Sequence, residues 1–389
     1  MTRNIRIFLV TEAILAACGG FILPIYVLYF RYFSITLFEV ALLAAVFETS
    51  VLIFEIPTGL LADRFGRKQS VAIGFTLFAV SGLVFILFRN LTGFIFGEII
   101  FGLAEAFISG AGEALAVDSI EENDKDRLMN RVFILRSRIR IVATTVFMLG
   151  AGFLFIANVS ITFYPILLGG LAGLGASMFF VVNEKGDTDG QRLGFFAPIG
   201  NMLRQIKISP LLKIIFILSV AANFSFEGAD QYWQILSSEI YDIDIRYFGL
   251  LTAAGAVIAF FLVGPVTRRA AGGISLPLMI LILAGVVISS LPNIPAMLLP
   301  LLLILYFICK EMITPTFSIM INRAIKAEGR ATFLSGYNLA CSVGEVGSGL
   351  IVGIIASRLG LPVVFVLCGG FLVLATVTIM FKSALVSGK

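Results

Sequence analysis

The feature that most constrains this chain is a succession of twelve long apolar runs separated by short polar breaks. A membrane-spanning helix needs about 20 mostly apolar residues, and each run reaches roughly that length. Of the 389 residues, 59% are hydrophobic and 13% are charged, against about 25% charged residues in soluble domains. The sequence therefore predicts an all-α membrane protein with twelve transmembrane helices. The predicted helices cover roughly 5–31, 36–61, 69–88, 91–117, 139–158, 161–182, 211–235, 246–266, 274–291, 296–321, 332–357 and 361–382.

The distribution of basic residues predicts that both termini lie in the cytoplasm. With the N-terminus inside, 23 of the 28 Lys and Arg residues fall in cytoplasmic segments and four fall outside, while Lys310 lies within a helix. Such an excess is typical of cytoplasmic loops. The longest internal polar stretch, 183–210, is a predicted cytoplasmic linker between two six-helix bundles, 1–182 and 211–389. This organisation is typical of duplicated transporters, although composition alone allows a channel or a receptor equally.

Missing residue types exclude several kinds of chemistry. The chain contains no histidine, which excludes Ser–His and Cys–His nucleophile systems and HExxH zinc sites. The four cysteines fall within apolar runs, so we interpret them as small buried hydrophobic residues rather than as disulfides or metal ligands. We therefore expect no enzyme, no metal site, no cofactor and no nucleic-acid partner.

The loop after the second helix, residues 59–68, reads GLLADRFGRK. It resembles the G-x-L-A-D-R-x-G-R-K signature of the major facilitator superfamily, and the twelve-helix plan extends this resemblance over the whole chain. The resemblance implies a monomer in the cytoplasmic membrane whose two bundles expose a central site alternately to each side. It also implies that the loop is a latch between the bundles. The latch residues are Gly59, Asp63, Arg64, Gly66, Arg67 and Lys68.

The roles of two latch glycines can also be predicted from backbone geometry, without the resemblance. We interpret Gly59 as permitting the close approach of a neighbouring helix. Gly66 is expected to permit the tight reversal into the third helix, because glycine adopts backbone conformations that other residues avoid.

Carboxylates at membrane depth are candidates for proton coupling, because inserting each one costs about 2.5–3.5 kcal/mol and needs a functional reason. By the resemblance, helices one, four, seven and ten line the central cavity. Glu98 and Glu105 are seven residues apart on one face of helix four, and Glu113 continues that face towards the cytoplasm. With Glu12 in helix one, they form a predicted proton path in which Glu105 is the first candidate.

The chain departs from the family in two places. Glu98 occupies the position of an intramembrane arginine in the helix-four motif of the family, so the proton-transfer role of that arginine cannot be carried over. Helix five contains Gly150 and Gly152 but lacks the proline found in the corresponding motif of drug–proton antiporters. The resemblance therefore indicates the fold more strongly than it indicates the substrate.

Lys310 is the only base in the middle of a predicted span, so we expect it to be paired with an acid or uncharged. The candidate partners are Glu105 and Asp230. The pair has two interpretations, a substrate-binding or proton-coupling ion pair and a structural salt bridge between helices. Tyr232 and Trp233 are expected in an interfacial aromatic belt. The predicted substrate-binding residues are Lys310, Glu311, Asp230, Glu227 and Asn223.

Acids outnumber this single base within the predicted spans, which favours a cationic or amphipathic substrate. We expect a secondary active transporter that exports such a small molecule in exchange for protons. The alternative is proton-coupled uptake of a small anion or nutrient bound at Lys310. The lipid bilayer, the substrate and protons are the expected partners.

Overall fold

A computed structural model describes residues 2–118, 125–181, 203–207, 209–270, 273–325 and 330–387. Within these ranges the chain is helical and contains no β-strand. Twelve helices of the described chain are long and apolar enough to cross a membrane, which confirms the predicted fold class. Most of the predicted linker, 183–202 and 208, lies outside the described residues.

Thirteen helices of seven or more residues form the fold in the described chain. In the first half they are α1 (Arg3–Ile22), α2 (Tyr26–Tyr32), α3 (Leu37–Phe65), α4 (Arg67–Leu87), α5 (Leu91–Asp118), α6 (Lys125–Ala157) and α7 (Tyr164–Ser177). In the second half they are α8 (Pro210–Asp230), α9 (Phe248–Ala270), α10 (Ser275–Ser290), α11 (Leu299–Ala324), α12 (Arg330–Leu359) and α13 (Leu361–Ser387).

Two helix boundaries differ from the prediction for identifiable reasons. The predicted first helix, 5–31, is interrupted between α1 and α2, where Pro24 cannot donate a backbone hydrogen bond and disfavours a continuous helix. The predicted fifth helix begins at Lys125 instead of 139. The basic residues before position 139 lower the local hydropathy, which placed the predicted boundary too late.

The described residues divide between two compact units, which fall within Met1–Ile35, Val46–Gln191 and Ile245–Leu250 for the first and within Thr36–Ala45, Arg192–Asp244 and Leu251–Lys389 for the second. In the first unit, glycines allow α4 and α7 to pack with their backbones close together. A Cβ added at Gly170 would lie 2.6 Å from Cα of Ala79. A cluster of fully buried aromatic rings closes one end of this unit. Its members are Tyr29, Phe30, Phe85, Phe94 and Phe163.

In the second unit, α10 packs as closely on α13, since a Cβ at Gly285 would lie 2.8 Å from the carbonyl oxygen of Gly369. The chain after α8 is buried here. Tyr232 and Trp233 are 0% and 3% exposed, and the Tyr232 hydroxyl donates to the carbonyl of Leu37 over 2.8 Å. The expectation of an interfacial aromatic belt is therefore wrong for this pair, because a buried carbonyl satisfies the phenol.

Candidate functional site

In the first unit, α1, α5 and α6 bring two acids and two arginines into one ion-pair cluster. Glu12 of α1 lies 3.0 Å from Nε of Arg136 and 2.9 Å from Nη1 of Arg140. Arg136 also contacts Glu113 of α5 through Nη1 at 3.0 Å. The Glu12 side chain is only 8% exposed, so the two guanidinium groups compensate a carboxylate that would otherwise be costly to bury.

Arg136 is the centre of this cluster because it links two of the predicted proton-path acids. Its guanidinium carbon also lies 5.4 Å from the centroid of the Phe8 ring, a geometry in which the cation is attracted to the ring face. A planar guanidinium suits this arrangement, since its several donors point in fixed directions. Arg136 therefore connects α1 to α5 through one carboxylate on each helix.

Glu105 lies beside the same cluster on α5. It is half-buried and interacts electrostatically with Arg140, Glu12 and Arg136. Within the described chain, no ion pair or hydrogen bond engages its carboxylate. Glu105 is thus the acid of this cluster that has no direct ion pair among the described residues.

Glu98 lies two turns from Glu105 on α5, in a separate environment. It is 0% exposed, and Oε1 accepts a hydrogen bond from the Tyr26 hydroxyl. Oε2 is also buried and has no hydrogen-bond partner among the described residues. The structure therefore separates the predicted proton path into a fully buried carboxyl at Glu98 and an ion-paired cluster around Arg136.

In the second unit, α8 and α11 form the other charged cluster. The Lys310 ammonium donates to Oδ2 of Asp230, so Asp230 is the partner among the two that the sequence suggested. Oδ1 of Asp230 accepts a hydrogen bond of 2.7 Å from the Tyr306 hydroxyl. The side chains of Lys310 and Asp230 are 38% and 25% exposed, which leaves this pair partly accessible.

The other predicted substrate-binding residues of this unit surround the pair unevenly. Glu227 accepts a 2.9 Å hydrogen bond from Nε2 of Gln231, and Glu345 of α12 interacts electrostatically with Lys310. Asn223 is half-buried on α8, whereas Glu311 is exposed. The structure thus groups Glu227 and Asp230 around Lys310. Among the described contacts, Glu311 has only a charge interaction with Lys310.

The latch loop has the predicted reversal at Gly66. Its φ of 100° lies in the region that glycine adopts without strain. Lys68 donates to the carbonyls of Met178 and Phe180 over 2.8 and 2.9 Å and so binds the end of α7. The Asp63 side chain lies outside the described part of the structure.

The described residues do not include the helix contact predicted at Gly59. Among the described residues, no atom lies within 4 Å of the position that a Cβ there would take. Gly59 instead lines a cavity of about 220 Å³ with Arg67, Glu55 and Ser70. The guanidinium of Arg64 lies 5.5 Å from the centroid of the Phe65 ring.

Several residues of these clusters were not among the predicted site residues. Arg136 and Arg140 were counted only among the basic residues of the cytoplasmic side, although their spacing of four residues places them on one face of a helix. Tyr26 and Tyr306 carry no charge and stand out only once their hydroxyls are seen against Glu98 and Asp230.

The family model of the Major Facilitator Superfamily matches residues 8–344. The chain belongs to the major facilitator superfamily. As a member with twelve candidate spans in its described residues, it is a multi-pass membrane transporter. The resemblance inferred from the latch loop is thereby confirmed.

Individual members of the superfamily resemble the chain at modest identity. The uncharacterized MFS-type transporter YxaM of Bacillus subtilis (strain 168) is 24% identical over 379 residues, which cover 95% of this chain and 93% of YxaM. Multidrug resistance protein 2 of the same strain is 24% identical over 262 residues, or 66% of this chain and 64% of that protein. The crystal structure of nucleoside transporter NupG has a TM-score of 0.75 at 14% identity and covers 98% of each chain. This structural likeness shows the fold alone.

Proposed function

We propose that the chain exports a small cationic or amphipathic solute in exchange for protons, by alternating access across the cytoplasmic membrane. The observation that carries the proposal is Glu105, a half-buried acid beside an ion-pair cluster and without a direct partner in the described chain. Such a carboxylate can accept a proton or attract a cation without first breaking an ion pair with an arginine.

The charge balance of the two clusters supports a cationic substrate. In the first unit, three acids stand against two arginines, namely Glu12, Glu105 and Glu113 against Arg136 and Arg140. In the second unit, three acids stand against Lys310, namely Glu227, Asp230 and Glu345. Each cluster therefore has an excess of carboxylate, which attracts cations and leaves acids available for protons.

The roles within the predicted proton path follow from these contacts. Glu105 is the proposed exchange site, and Glu98 is a second proton site whose only described hydrogen-bond donor is Tyr26. Glu12 and Glu113 are the carboxylates that hold Arg136 in place. The likeness to Multidrug resistance protein 2 favours export, since resistance is the property for which that protein is named.

The test is proton movement in liposomes that contain the purified protein and an internal pH dye. A pH gradient is imposed, and a lipophilic cation such as tetraphenylphosphonium, an organic anion and a neutral sugar are added separately. We expect the cation to dissipate the gradient in a saturable manner. Glu105→Gln should abolish this response, whereas Glu39→Gln should not, because the half-buried Glu39 lies at the start of α3, where its carboxylate accepts the backbone N–H of Thr36.

Uptake of an anion at Lys310 is the competing outcome of the same assay. The ammonium is already engaged by Asp230, so an anion must compete with that carboxylate. If only anions move protons, and Lys310→Ala abolishes the movement, export of a cation is refuted and uptake takes its place. A proton response to the cation that survives Glu105→Gln would remove Glu105 from the coupling role.

A further inference from the structure

We propose that a groove on the outside of the first unit binds the headgroup of an anionic phospholipid of the inner leaflet. The groove has a volume of about 380 Å³ and lies between α1 and the end of α7. None of its residues belongs to the charged clusters of the proposed transport cycle. Its lining residues are Arg3, Arg6, Ile7, Val10, Ala176 and Phe179.

The groove is basic at one end and apolar at the other. Arg3, Arg6, Ile7 and Val10 recur at the spacing that places residues on one face of a helix. The arginines lie in the first two turns of α1, at the end that the distribution of basic residues assigns to the cytoplasm. Val10 and Phe179 are 51% and 59% exposed. This order, charge at the interface and apolar surface deeper, matches that of a phospholipid headgroup and its acyl chains.

The two arginines lack a counter-charge within the described chain. No acid lines the groove, and no described residue forms an ion pair or hydrogen bond with either guanidinium. Arg3 is held instead over the Phe179 ring, 5.9 Å from its centroid. Like charges three residues apart on a helix repel each other, so an anion that contacts both is favoured. A guanidinium binds the paired oxygens of a phosphate well.

The walls of the groove are fixed to each other by hydrogen bonds. Asn4 of α1 pairs with the backbone of Val181, donating to its carbonyl over 3.1 Å and accepting from its N–H over 2.9 Å. Lys68 holds the carbonyls of Met178 and Phe180 on either side of Phe179. The groove is therefore formed before a ligand arrives, and little ordering is needed when a lipid binds.

The test uses a fluorescent reporter placed in the groove. Trp233, the single tryptophan of the chain, is replaced in W233F, and F179W introduces a new indole that keeps an aromatic ring under Arg3. The full-length reporter protein is reconstituted in vesicles that contain brominated phosphatidylglycerol or brominated phosphatidylcholine. Quenching of the indole then gives the relative affinity of the groove for each lipid.

We expect the groove to prefer phosphatidylglycerol by about 25-fold, since each basic residue near a lipid surface strengthens binding of anionic lipid by about fivefold. R3Q/R6Q should remove most of this preference, and R3K/R6K should retain much of it. The matched control is R268Q/R269Q, which removes an exposed cytoplasmic-side pair of arginines outside the groove and should leave the preference unchanged. Unaltered secondary structure and thermal stability verify that each variant is folded.

Three results would overturn the proposal. Equal quenching by the two lipids would show that the groove does not select charge. An equal loss of preference in R268Q/R269Q would attribute the selection to overall surface charge. Quenching by neither lipid would show that the groove excludes lipid altogether.

Discussion

At the scale of single residues, Arg136 is the side chain on which the first-unit cluster depends. It connects Glu12 to Glu113, with both N–O distances at 3.0 Å. We expect Arg136→Gln to lower the free energy of unfolding by about 1–3 kcal/mol, because a nearly buried carboxylate loses one of its two compensating cations. Arg138→Gln, an exposed arginine two positions along the same helix, is the matched control and should have little effect.

Thermal unfolding of the purified variants in detergent measures this difference. Arg136→Lys should recover only part of the lost stability, because an ammonium cannot reproduce the fixed fork of a guanidinium. An Arg136→Gln protein as stable as Arg138→Gln would show that Arg140 alone compensates Glu12.

Tyr26 and Glu98 form a second pair whose energetics a double substitution can separate. We expect Tyr26→Phe to destabilise the protein by about 1–3 kcal/mol, because it removes the described hydrogen-bond donor of a fully buried carboxyl. Adding Glu98→Leu should recover part of this loss, since the unsatisfied polar group is then removed as well. The measurement is a double-mutant cycle of unfolding free energies, with Tyr32→Phe as the exposed control. Strict additivity would show that the two side chains are not coupled.

At the scale of helices, α7 depends on a glycine at its contact with α4. We expect Gly170→Ala to lower stability by about 1–3 kcal/mol, because the added Cβ would lie 2.6 Å from a backbone carbon of Ala79 and force the helices apart. Gly175→Ala on the same helix meets no described atom within 4 Å and should be neutral or slightly stabilising. The measurement is the melting temperature of each variant, which should be lower for Gly170→Ala than for Gly175→Ala. Equal melting temperatures would mean that α4 and α7 move apart without loss of stability.

The helices differ in how far the sequence alone predicts them. Hydropathy located all twelve spans, because a lipid-exposed helix requires a long apolar run. It placed the start of α6 too late, because the arginines there give the segment the hydropathy of a polar loop although they have acidic partners. Because an unpaired charge in the membrane is costly, the sequence predicted an acidic partner for Lys310 and offered two candidates. Only the packing of α8 against α11 shows that the partner is Asp230. A hydroxyl group carries no charge, so a partner such as Tyr26 cannot be recognised from the pattern of charged residues.

At the scale of the whole molecule, the two charged clusters occupy corresponding helices of the two halves. In each half they involve the first, fourth and fifth spans: α1, α5 and α6 in one, and α8, α11 and α12 in the other. This correspondence is what an internal duplication leaves. The halves differ in the helix that carries the base, which is α6 for Arg136 and Arg140 but α11 for Lys310. The two halves thus hold two distinct arrangements of acids and bases.

The predicted orientation of the chain can be tested with two cysteines that flank one helix. Gly273 and Met297 lie on either side of α10, which spans Ser275–Ser290, and both are exposed. All four native cysteines are buried, and replacing them removes any remaining background. In intact cells, we expect a membrane-impermeant maleimide to label Met297→Cys, whereas Gly273→Cys should react only after permeabilisation. We expect this pattern because Arg268 and Arg269 precede Gly273, and basic residues favour the cytoplasmic side of the membrane. The reverse pattern would invert the whole topology, since twelve spans fix the side of every loop once one is known.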